Sequence, residues 1–427
     1  MNIPSLYEVF KQHPCIVTDT RKLKAGDIFL ALKGPNFNGN EYVAQAFDSG
    51  AAYCICDEET GYTNEKIILV EDGLQTLQAL AKFHRQTFDI PFIAITGSNG
   101  KTTTKELVSE VLSTSFKTYT TEGNLNNHIG VPLTLLQIKD DAEIAVIEMG
   151  ANHQKEIESY CAYTMPTHGI ITNCGKAHLE GFGGEEGVRK GKGELFKFIR
   201  ETGGSVFINT DYEYLVDMSK GVKNIISFGQ CKGEIIGEIM EDNAFLKVKI
   251  TKGADLITIQ TKLVGGYNLN NILTAVAVGV TFKIPAERIK SALESYNPTN
   301  SRSQLIEKDG NKIILDAYNA NPSSMQLAIE NFAGMDGEKK ILILGGMMEL
   351  GSSSVKEHQD IVQLILKYNW HSVVLVGEDY INLPKDFIHF QSSTEARKWY
   401  CQQKFEKVQV LIKGSRSMQM ERVIESF

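Results

Sequence analysis

The chain divides into three parts, because apolar segments at strand and helix spacing occur in three separate series. In the first series, short apolar runs bounded by turn residues predict strands, and apolar residues at helical spacing predict helices. The predicted strands cover 27–32, 52–56 and 67–70, and the predicted helices cover 42–49 and 74–87. We therefore expect a small α/β domain over residues 1–88.

The second series opens with a continuous apolar run at 90–96, which is typical of a strand buried on both faces of a parallel sheet. Strands then alternate with helices, and this pattern favours a parallel sheet. Further strands are predicted at 143–149, 168–173 and 205–209, an antiparallel patch at the sheet edge within 234–261, and a helix at 268–282. The sequence therefore predicts a central parallel-sheet domain over residues 89–296.

The third series again alternates strands with helices, so it predicts a second open α/β sheet of the dinucleotide-binding, Rossmann-like type. Its strands are predicted at 313–316, 340–344, 372–376 and 408–413, with a helix at 355–368 among the connecting helices. The third domain is expected over residues 297–427. The predicted fold class is α/β with three domains: a small N-terminal α/β domain, a central parallel-sheet domain and a C-terminal Rossmann-like domain.

Charge and composition exclude several classes of partner. The net charge of −8 shows no basic excess, so we expect no nucleic-acid partner. No segment approaches the roughly 20 apolar residues that a membrane span needs, and the N-terminal residues lack the pattern of a signal peptide. The seven cysteines are scattered, which is typical of reduced thiols. We therefore expect a cytoplasmic monomer that holds any anionic ligand by local features.

A phosphate-binding loop is predicted between the strand at 90–96 and the helix after it. Glycines permit positive-φ turns and a close backbone approach, and the N-terminus of a helix attracts anions through its unpaired N–H groups and its dipole. Lys101 can reach the β- and γ-phosphates of ATP, and the Thr102 hydroxyl can ligate Mg²⁺. The candidate nucleotide-binding residues are Thr96, Gly97, Ser98, Asn99, Gly100, Lys101, Thr102 and Thr103.

This loop is shorter than the strict pattern Gly-x-x-x-x-Gly-Lys-Ser/Thr, whose first glycine would fall at Ile95. A structural turn with a solvated lysine is the alternative interpretation. The position of the turn between a buried strand and an amphipathic helix favours ATP binding, and the central domain is therefore predicted to be an ATPase domain. ATP binding alone leaves open a kinase, a motor, a ligase or a regulatory switch.

Three further residues of the central part are candidates for chemistry. Glu148 ends the apolar strand at 143–149, where a phosphate loop needs a magnesium ligand, although a carboxylate that faces water is the alternative. His178 follows the strand at 168–173, and a structural or solvated histidine is the alternative there. Lys192 lies in a basic run, which by itself favours a solvated segment that opens a helix.

Polar residues at two other places are candidates for binding a substrate. An asparagine-rich segment at 123–132 can bond phosphates or a substrate, or it can form an ordinary Asx-turn loop. In the third part, two predicted strands end in polar clusters, at the place where open sheets bind ligands. We therefore expect this part to close over the nucleotide or to present a second substrate. The candidates are Asn124, Asn126, Asn127, Asp316, Tyr318, Asn319, Asn321, Lys413 and Ser415.

Motifs along nearly the whole chain resemble those of the Mur ligase family. They lie, in order, at 18–21, 26–34, 96–104, 123–132, 148–151, 177–183, 316–323, 348–351 and 413–416. Within that family, Tyr318-Asn319-Ala320-Asn321-Pro322 together with Glu148-Met149-Gly150 is similar to the members that use D-alanyl-D-alanine, rather than to those that add glutamate or diaminopimelate.

The resemblance implies metal and nucleotide roles for five residues of the central part. Lys101 and Thr102 would bind ATP and Mg²⁺, and Glu148 and His178 would hold the magnesium ions. Lys192 resembles the family lysine that CO₂ carbamylates, a reaction that converts a cation into a metal-binding carboxylate. This implication replaces the interpretation of Lys192 as part of a solvated basic run.

The resemblance also assigns residues around the nucleotide and the substrate. Asn271 and Asp316 would contact the nucleoside, and Arg302 would lie near the γ-phosphate. Thr20 and Arg21 would lie near the uridine diphosphate of the substrate. The residues expected to act in catalysis are Lys101, His178, Lys192 and Arg302.

The implied reaction is the ATP-dependent joining of D-alanyl-D-alanine to UDP-N-acetylmuramoyl-tripeptide through an acyl phosphate, in peptidoglycan precursor synthesis. One alternative is another ligase of this type, such as a folyl-polyglutamate synthetase, but those enzymes lack the segment at 18–34. A second alternative is an ATP-gated binding or regulatory protein without chemistry. The presence of Glu148, His178 and Lys192 together argues against that class.

Overall fold

A computed structural model describes residues 1–242, 245–255, 257–298 and 301–425. The chain forms two compact units, each built from several segments. The first unit comprises Met1–Ala94, Phe116–Gly150 and Glu156–His168, and the second comprises Ile95–Ser115, Ala151–Lys155 and Gly169–Phe427.

Strands and helices alternate through most of the described chain. The strands are β1 Ile16–Val17, β2 Ile28–Leu30, β3 Lys33–Gly34, β4 Phe37–Asn38, β5 Tyr53–Cys56, β6 Ile67–Leu69, β7 Phe92–Thr96, β8 Thr118–Thr120, β9 Ile144–Glu148, β10 His168–Ile171, β11 Ser205–Asn209, β12 Asn224–Gly229, β13 Ile235–Asp242, β14 Leu246–Lys252, β15 Thr258–Gln260, β16 Gln304–Lys308, β17 Asn311–Asp316, β18 Lys340–Gly345, β19 Ser372–Val376, β20 Ile388–Phe390 and β21 Gln409–Lys413.

The helices are α1 Ile3–Gln12, α2 Val43–Asp48, α3 Gly73–Arg85, α4 Lys101–Ser113, α5 Gly130–Leu136, α6 Glu156–Thr164, α7 Leu179–Phe182, α8 Glu185–Thr202, α9 Glu213–Met218, α10 Leu269–Thr281, α11 Ala286–Ser295, α12 Pro322–Gly334, α13 Ser354–Ile365 and α14 Ser393–Gln403. Short 3₁₀ turns lie at Thr20–Lys22, Gly39–Tyr42, Gly266–Asn268, Gly351–Ser353, Arg416–Met418 and Met420–Ile424. None of the helices in the described ranges is both long and apolar enough to cross a membrane.

The first unit contains a parallel four-stranded sheet in the order β1-β2-β5-β6. Its core includes Phe29, Val43 and Cys54, which are almost completely buried. Helices α1, α5 and α6 pack against α3. The last residue of α3, Arg85, donates from Nε to the carbonyl oxygen of Thr164 at 2.9 Å, and this bond helps to fix α6.

A nine-stranded sheet has the order β15-β14-β13-β12-β11-β10-β7-β9-β8. Strands β13, β14 and β15 pair antiparallel at one edge, which confirms the predicted antiparallel patch. Residues 243, 244 and 256 of that predicted patch lie outside the described residues. In the second unit, α10 packs against α4 and the strands β11 to β13, and ten of its thirteen residues are buried.

The C-terminal part of the second unit is a six-stranded sheet in the order β16-β17-β21-β18-β19-β20. All its strand pairs are parallel except β16 with β17. Alternate residues of β18 enter different apolar clusters: Ile341 joins α14 in one, and Leu342 joins α12 and α13 in the other. Because both faces are covered, the strand appears in the sequence as a continuous apolar run.

The strands predicted from continuous apolar runs are confirmed, with ends that shift by a few residues. The strand predicted at 168–173, for example, ends at Ile171. All seven cysteines are free, and four of them are buried, as expected for reduced thiols.

Partial burial of His168 at the start of β10 leads to a prediction about pH. Desolvation lowers the pKa of His168 from its usual 6.5 to about 4. Between these two values the unfolded chain binds the proton more readily than the folded chain, so stability is complete above about pH 6.5 and falls as the pH decreases toward 4. At pH 5, the loss from this one residue is about 2 kcal/mol.

We therefore expect the midpoint temperature of unfolding to fall between pH 7.5 and pH 5 in both proteins. The fall should be larger for the wild-type chain than for His168→Gln. Comparing the two shifts removes the effects of the other histidines, which titrate in both proteins. The midpoints are measured by circular dichroism at several pH values. Equal shifts in the two proteins would contradict the assignment to His168.

Candidate active site

The predicted phosphate loop connects the end of β7 to the first residue of α4 and passes very close to neighbouring side chains. Gly97 has φ 142° and Gly100 has φ 79°, conformations that favour glycine. A Cβ atom on Gly97 would lie 2.0 Å from Thr172 Oγ1, and one on Gly100 would lie 2.6 Å from Asn271 Oδ1. Both glycines are therefore required by the close approach as well as by the backbone conformation.

Two residues after β10 hold the middle of the loop. The side chain of Asn173 accepts from Asn99 N at 3.0 Å and donates to Asn99 O at 3.0 Å, so it pairs with the backbone as a neighbouring strand would. Thr172 Oγ1 donates to the same carbonyl oxygen at 2.6 Å. The sequence pattern alone predicted no role for Thr172 or Asn173. Their position at the carboxyl end of a strand predicted near the phosphate loop was the available signal.

Lys101 and Thr102 begin α4 directly after the loop. The Lys101 ammonium donates to the carbonyl oxygens of Gly97 at 2.8 Å and Ser98 at 3.2 Å, so it lies over the loop itself. Thr102 is buried. A lysine, a helix N-terminus and two glycine-dependent turns are thus combined in one short segment, which is the arrangement expected for binding phosphates.

Asn271 of α10 lies against the loop at Gly100 and bonds to α4. Its Oδ1 accepts from Thr104 Oγ1 at 3.0 Å, and its Nδ2 donates to Asn268 Oδ1 at 2.8 Å. The side chain is 8% exposed. The predicted nucleoside contact of Asn271 remains a prediction, while its contacts with the protein tie the nucleotide loop to the most apolar helix of the unit.

In the first unit, Glu148 is the last residue of β9 and is 1% exposed, so the interpretation as a carboxylate that faces water is wrong. Asn126 Nδ2 donates to Glu148 Oε1 at 2.7 Å. Asn127 Oδ1 accepts from the backbone N–H groups of Ile129 and Gly130, which is an Asx-type turn at the start of α5. The asparagine-rich segment therefore contains both a turn and a partner for a buried carboxylate, and it also includes Asn124.

His178 lies between β10 and α8 and contacts the C-terminal part of the second unit. Its Nδ1 pairs with the carboxylate of Glu349, and the hydrogen bond to His178 lowers the pKa of Glu349. Both residues adopt left-handed backbone conformations, with φ 52° and 62°. Nearby, Lys176 Nζ lies 2.7 Å from Glu357 Oε1. The segment after β10 therefore contacts the Glu349 loop and α13.

Lys192 lies inside α8 and is 1% exposed, so a solvated basic run that opens a helix is wrong for this residue. Its Nζ donates to the carbonyl oxygen of Ala151 at 2.9 Å and lies 4.9 Å from the centre of the Phe182 ring. Gly191 permits this packing, because a Cβ atom there would lie 2.5 Å from Phe182. A buried lysine is rare and often functional.

In the C-terminal sheet, two adjacent parallel strands end in register at Asp316 and Lys413. The register brings their side chains together, and Lys413 Nζ lies 2.6 Å from Asp316 Oδ2. Lys413 also donates to the carbonyl oxygen of Asn319 at 3.2 Å. Ser415 Oγ accepts from Met348 N at 2.9 Å. These residues, predicted to bind the nucleoside or the substrate, therefore form one polar cluster at the carboxyl edge of the sheet.

Arg302 belongs to the segment that enters this sheet. Its guanidinium lies 3.7 Å from the centre of the Tyr318 ring, a cation–π contact. Ser301 and Ser303 on either side have positive φ values of 55° and 47°, conformations that are costly for residues with a side chain. Asn300, two residues before Arg302, lies outside the described residues.

Thr20 and Arg21 of the first unit form a 3₁₀ turn capped by Asp19. Arg21 donates to both carboxylate oxygens of Asp19, at 2.9 and 2.8 Å. These bonds lower the pKa of Asp19 to about 2. The Arg21 side chain remains largely exposed, so it is accessible to an anionic ligand.

The candidate magnesium ligands include a hydroxyl and a carboxylate, which are oxygen donors of the kind that Mg²⁺ prefers. Among the residues described, no cluster of three or more His, Cys, Asp or Glu side chains could hold a metal ion. Mg²⁺ usually takes one or two protein carboxylates or hydroxyls and completes its shell with phosphates and water. Thr102 in the second unit and Glu148 in the first unit are each buried, and each carries an oxygen donor of this kind.

Comparison with known proteins gives three family matches in order along the chain. Residues 14–85 match the Mur ligase family catalytic domain, residues 95–279 match the Mur ligase middle domain, and residues 301–416 match the Mur ligase glutamate ligase domain. The UDP-N-acetylmuramoyl-tripeptide--D-alanyl-D-alanine ligase of Bacillus subtilis is 32% identical over 96% of this chain and 92% of that protein. The chain belongs to the Mur ligase family.

Two solved structures extend the similarity of this Mur ligase to three dimensions. MurF from Acinetobacter baumannii has a TM-score of 0.88 at 31% identity and covers 96% of this chain and 92% of its own. MurF from Thermotoga maritima, solved in complex with ADP, has a TM-score of 0.87 at 27% identity and covers 97% and 96%. They confirm the predicted α/β fold with three domains. The boundaries at 88/89 and 296/297 stay predictions.

The close approach at Gly97 makes a testable prediction. Gly97→Ala would place a methyl group 2.0 Å from Thr172 Oγ1, so the loop must move and nucleotide binding should weaken by 100-fold or more, about 3 kcal/mol. Gly203→Ala is the matched control, since Gly203 has φ 76° and open space around its Cβ position. The control should bind nucleotide normally.

The affinity for ADP is measured by isothermal titration calorimetry with both variants. Near-normal affinity in Gly97→Ala would show that the loop tolerates the clash and would contradict the prediction.

Proposed function

We propose that this chain is an ATP-dependent ligase that joins D-alanyl-D-alanine to UDP-N-acetylmuramoyl-tripeptide and releases ADP and phosphate. The observation that carries the proposal is the glycine-dependent phosphate loop at the start of α4, in a chain that resembles ligases of this specificity along nearly its whole length. The ADP bound to the Thermotoga maritima relative supports ATP as the energy source. The reaction belongs to peptidoglycan precursor synthesis, and we propose that the protein acts in the cytoplasm as a monomer.

The chemistry requires activation of a carboxylate. A carboxylate is a poor electrophile, since an oxide ion is a poor leaving group. Transfer of the γ-phosphoryl group of ATP gives an acyl phosphate, and the amine of D-alanyl-D-alanine then attacks the carbonyl carbon. Phosphate leaves from the tetrahedral intermediate as the new amide bond forms. The protein mainly positions the reactants and stabilises charge in such a reaction.

Charge neutralisation is the main task of the phosphate loop in this scheme. The substrate carboxylate and the γ-phosphate are both anionic, so bringing them together is unfavourable by several kcal/mol without cations. We assign neutralisation to Lys101 and Arg302, together with the N–H groups at the start of α4. Lys101 already lies over the loop, within hydrogen-bonding distance of Gly97 O and Ser98 O.

Magnesium is the metal that fits the donor set of the chain. Thr102, Glu148 and His178 are proposed as its ligands, and bound Mg²⁺ would supply further positive charge to the phosphates. Lys192 is proposed to act as a carbamate. The lysine amine adds to the carbon of CO₂ with loss of a proton, which gives an oxygen-donor carboxylate. The buried position of Lys192 supports a functional role for this side chain.

The remaining candidate residues are proposed to bind the nucleoside and the two substrates. Asp316 and Asn271 would contact the nucleoside, and the exposed Arg21 with Thr20 would contact the uridine diphosphate. The other substrate-binding candidates are Asn124, Asn126, Asn127, Tyr318, Asn319, Asn321, Lys413 and Ser415. The cluster at the ends of β17 and β21 supports this proposal, since parallel sheets bind ligands at such edges.

The first prediction of the proposal concerns product release by the purified protein. ADP and phosphate should appear only when ATP, UDP-N-acetylmuramoyl-tripeptide and D-alanyl-D-alanine are all present, together with an equal amount of the pentapeptide product. A coupled assay for ADP and mass spectrometry of the product check this. Sustained ATP hydrolysis without D-alanyl-D-alanine would instead support an ATP-gated regulatory protein. Activity with folyl-polyglutamate substrates would support a folyl-polyglutamate synthetase.

Replacement of Lys101 is a direct test of charge neutralisation. We expect Lys101→Ala to reduce kcat/KM by roughly 10³-fold or more, because the phosphates lose the one lysine of the loop. Lys220→Ala is the control, since that side chain is 77% exposed and pairs with the nearby Asp217. Near-normal turnover of Lys101→Ala in the same assay would contradict the assigned mechanism.

The proposed carbamate at Lys192 predicts chemical rescue. Lys192→Ala should have low activity that acetate largely restores, because a small carboxylate can occupy the space of the missing carbamate. Chloride at the same ionic strength should not restore activity, and Lys190→Ala, which alters an exposed lysine of the same helix, should behave as wild type. Wild-type activity of Lys192→Ala without acetate would remove Lys192 from the site.

A further inference from the structure

Asn321 connects the phosphate loop to α12 through a pair of side-chain amides. Its Nδ2 donates to Asn99 Oδ1 at 2.7 Å, and Asn99 Nδ2 lies 3.4 Å from Asn321 Oδ1. Asn321 is 7% exposed, so water competes little for this contact. Asn99 is at the centre of the phosphate loop, and Asn321 is the N-cap residue of α12.

The orientation of the Asn321 amide is fixed by the helix that it caps. Asn321 Oδ1 accepts from Ser324 N at 2.9 Å, and Asn321 N donates to Ser324 Oγ at 3.1 Å, which together form a capping box. Because a backbone N–H must point at an oxygen, the other arm of the amide must be the NH₂ group. That NH₂ group is the part of the side chain that capping does not use, and it points to Asn99.

A second set of contacts runs beside the amide pair. Ser98 Oγ accepts from Gly175 N at 3.0 Å, and the next residue, Lys176, donates from its backbone N to Ser323 Oγ at 3.0 Å. The phosphate loop is therefore joined to the first turn of α12 both directly and through the segment after β10. The segment that leads into α12 carries Asp316, a candidate for binding the nucleoside, and Tyr318 and Asn319, which are candidates for binding substrate.

We propose that Asn321 is a positioning residue, which couples the conformation of the phosphate loop to the first turn of α12 through Asn99. Binding of nucleotide phosphates restrains Asn99, and Asn99 in turn restrains α12 and the substrate-binding segment that precedes it. Asn321 thus acts through Asn99 rather than on the reacting atoms. The inference deepens the proposed function and rests on its assignment of ATP to this loop.

Substitutions at Asn321 can separate capping from coupling. Asn321→Ser and Asn321→Asp both keep a side-chain oxygen that caps helices as well as asparagine does, but neither has the NH₂ group that reaches Asn99 Oδ1. Gln326→Ala, an exposed change on the same helix, is the matched control. All three variants are expected to unfold at nearly the wild-type temperature, since the helix cap is kept.

The decisive measurement is hydrogen–deuterium exchange of the peptide that contains Ser324 and Met325, with and without a saturating amount of the β,γ-imido analogue of ATP. These two amides bond to Asn321 Oδ1 and Asn321 O. The analogue should slow their exchange in the wild type and in Gln326→Ala. In Asn321→Ser and Asn321→Asp the exchange without nucleotide should stay unchanged, and the slowing by nucleotide should largely disappear.

Steady-state kinetics provide an independent readout. Asn321→Ser should reduce kcat for ligation about 10-fold, the effect expected for one lost hydrogen bond, while the KM for ATP stays within about twofold. In an Asn99→Ala background, Asn321→Ser should cause little further loss, because the pair acts as a unit. Full additivity of the two losses would overturn the inference.

The outcomes distinguish this inference from the proposed function. Nucleotide-dependent protection of α12 that persists in Asn321→Ser, together with wild-type kcat, would overturn the coupling role and leave the ligase assignment intact. Failure of the wild-type chain to bind the ATP analogue would overturn the proposed function, and the inference with it.

Discussion

The phosphate loop can pass where it does only because two of its residues have no side chain. A Cβ of residue 97 would lie 2.0 Å from Thr172 Oγ1, and a Cβ of residue 100 would lie 2.6 Å from Asn271 Oδ1. This close approach lets Asn173 satisfy the backbone of Asn99 in the way that a neighbouring strand would. The loop is therefore held from outside by polar side chains, and the N–H groups at the start of α4 are presented in a fixed geometry to an anion.

The segment from Thr172 to His178 contacts both the phosphate loop and the C-terminal part of the second unit. One end holds the phosphate loop, while Lys176 and His178 pair with Glu357 and Glu349 of the C-terminal part. An ATP-dependent ligase must bring a phosphorylated carboxyl group and an amine within about 3–3.5 Å of each other. A segment that contacts both the nucleotide loop and the C-terminal elements is suited to that requirement.

The sequence predicted the strands that are buried on both faces, because such strands are continuous apolar runs. It missed several short or half-exposed strands that show no such run, among them β8, β12 and β16. The phosphate loop was found since its chemistry is local in sequence. The burial of Lys192 was not predicted from the sequence. It depends on Gly191, which allows Phe182 to pack close to the helix, and a basic run gives no reason to expect that contact. The partners Asn173 and Asn321 are distant in sequence from the loop that they hold.

The helix cap at Asn321 has a consequence for natural variation. Serine, aspartate and asparagine are nearly equivalent as N-caps, so selection for the stability of α12 cannot by itself retain asparagine at this position. The amide hydrogens of Asn321 are not used for capping, and in this structure they bond to Asn99. Asparagine at this position thus gives the chain a link between its phosphate loop and the helix that follows β17, which serine, an equally good cap, would not provide.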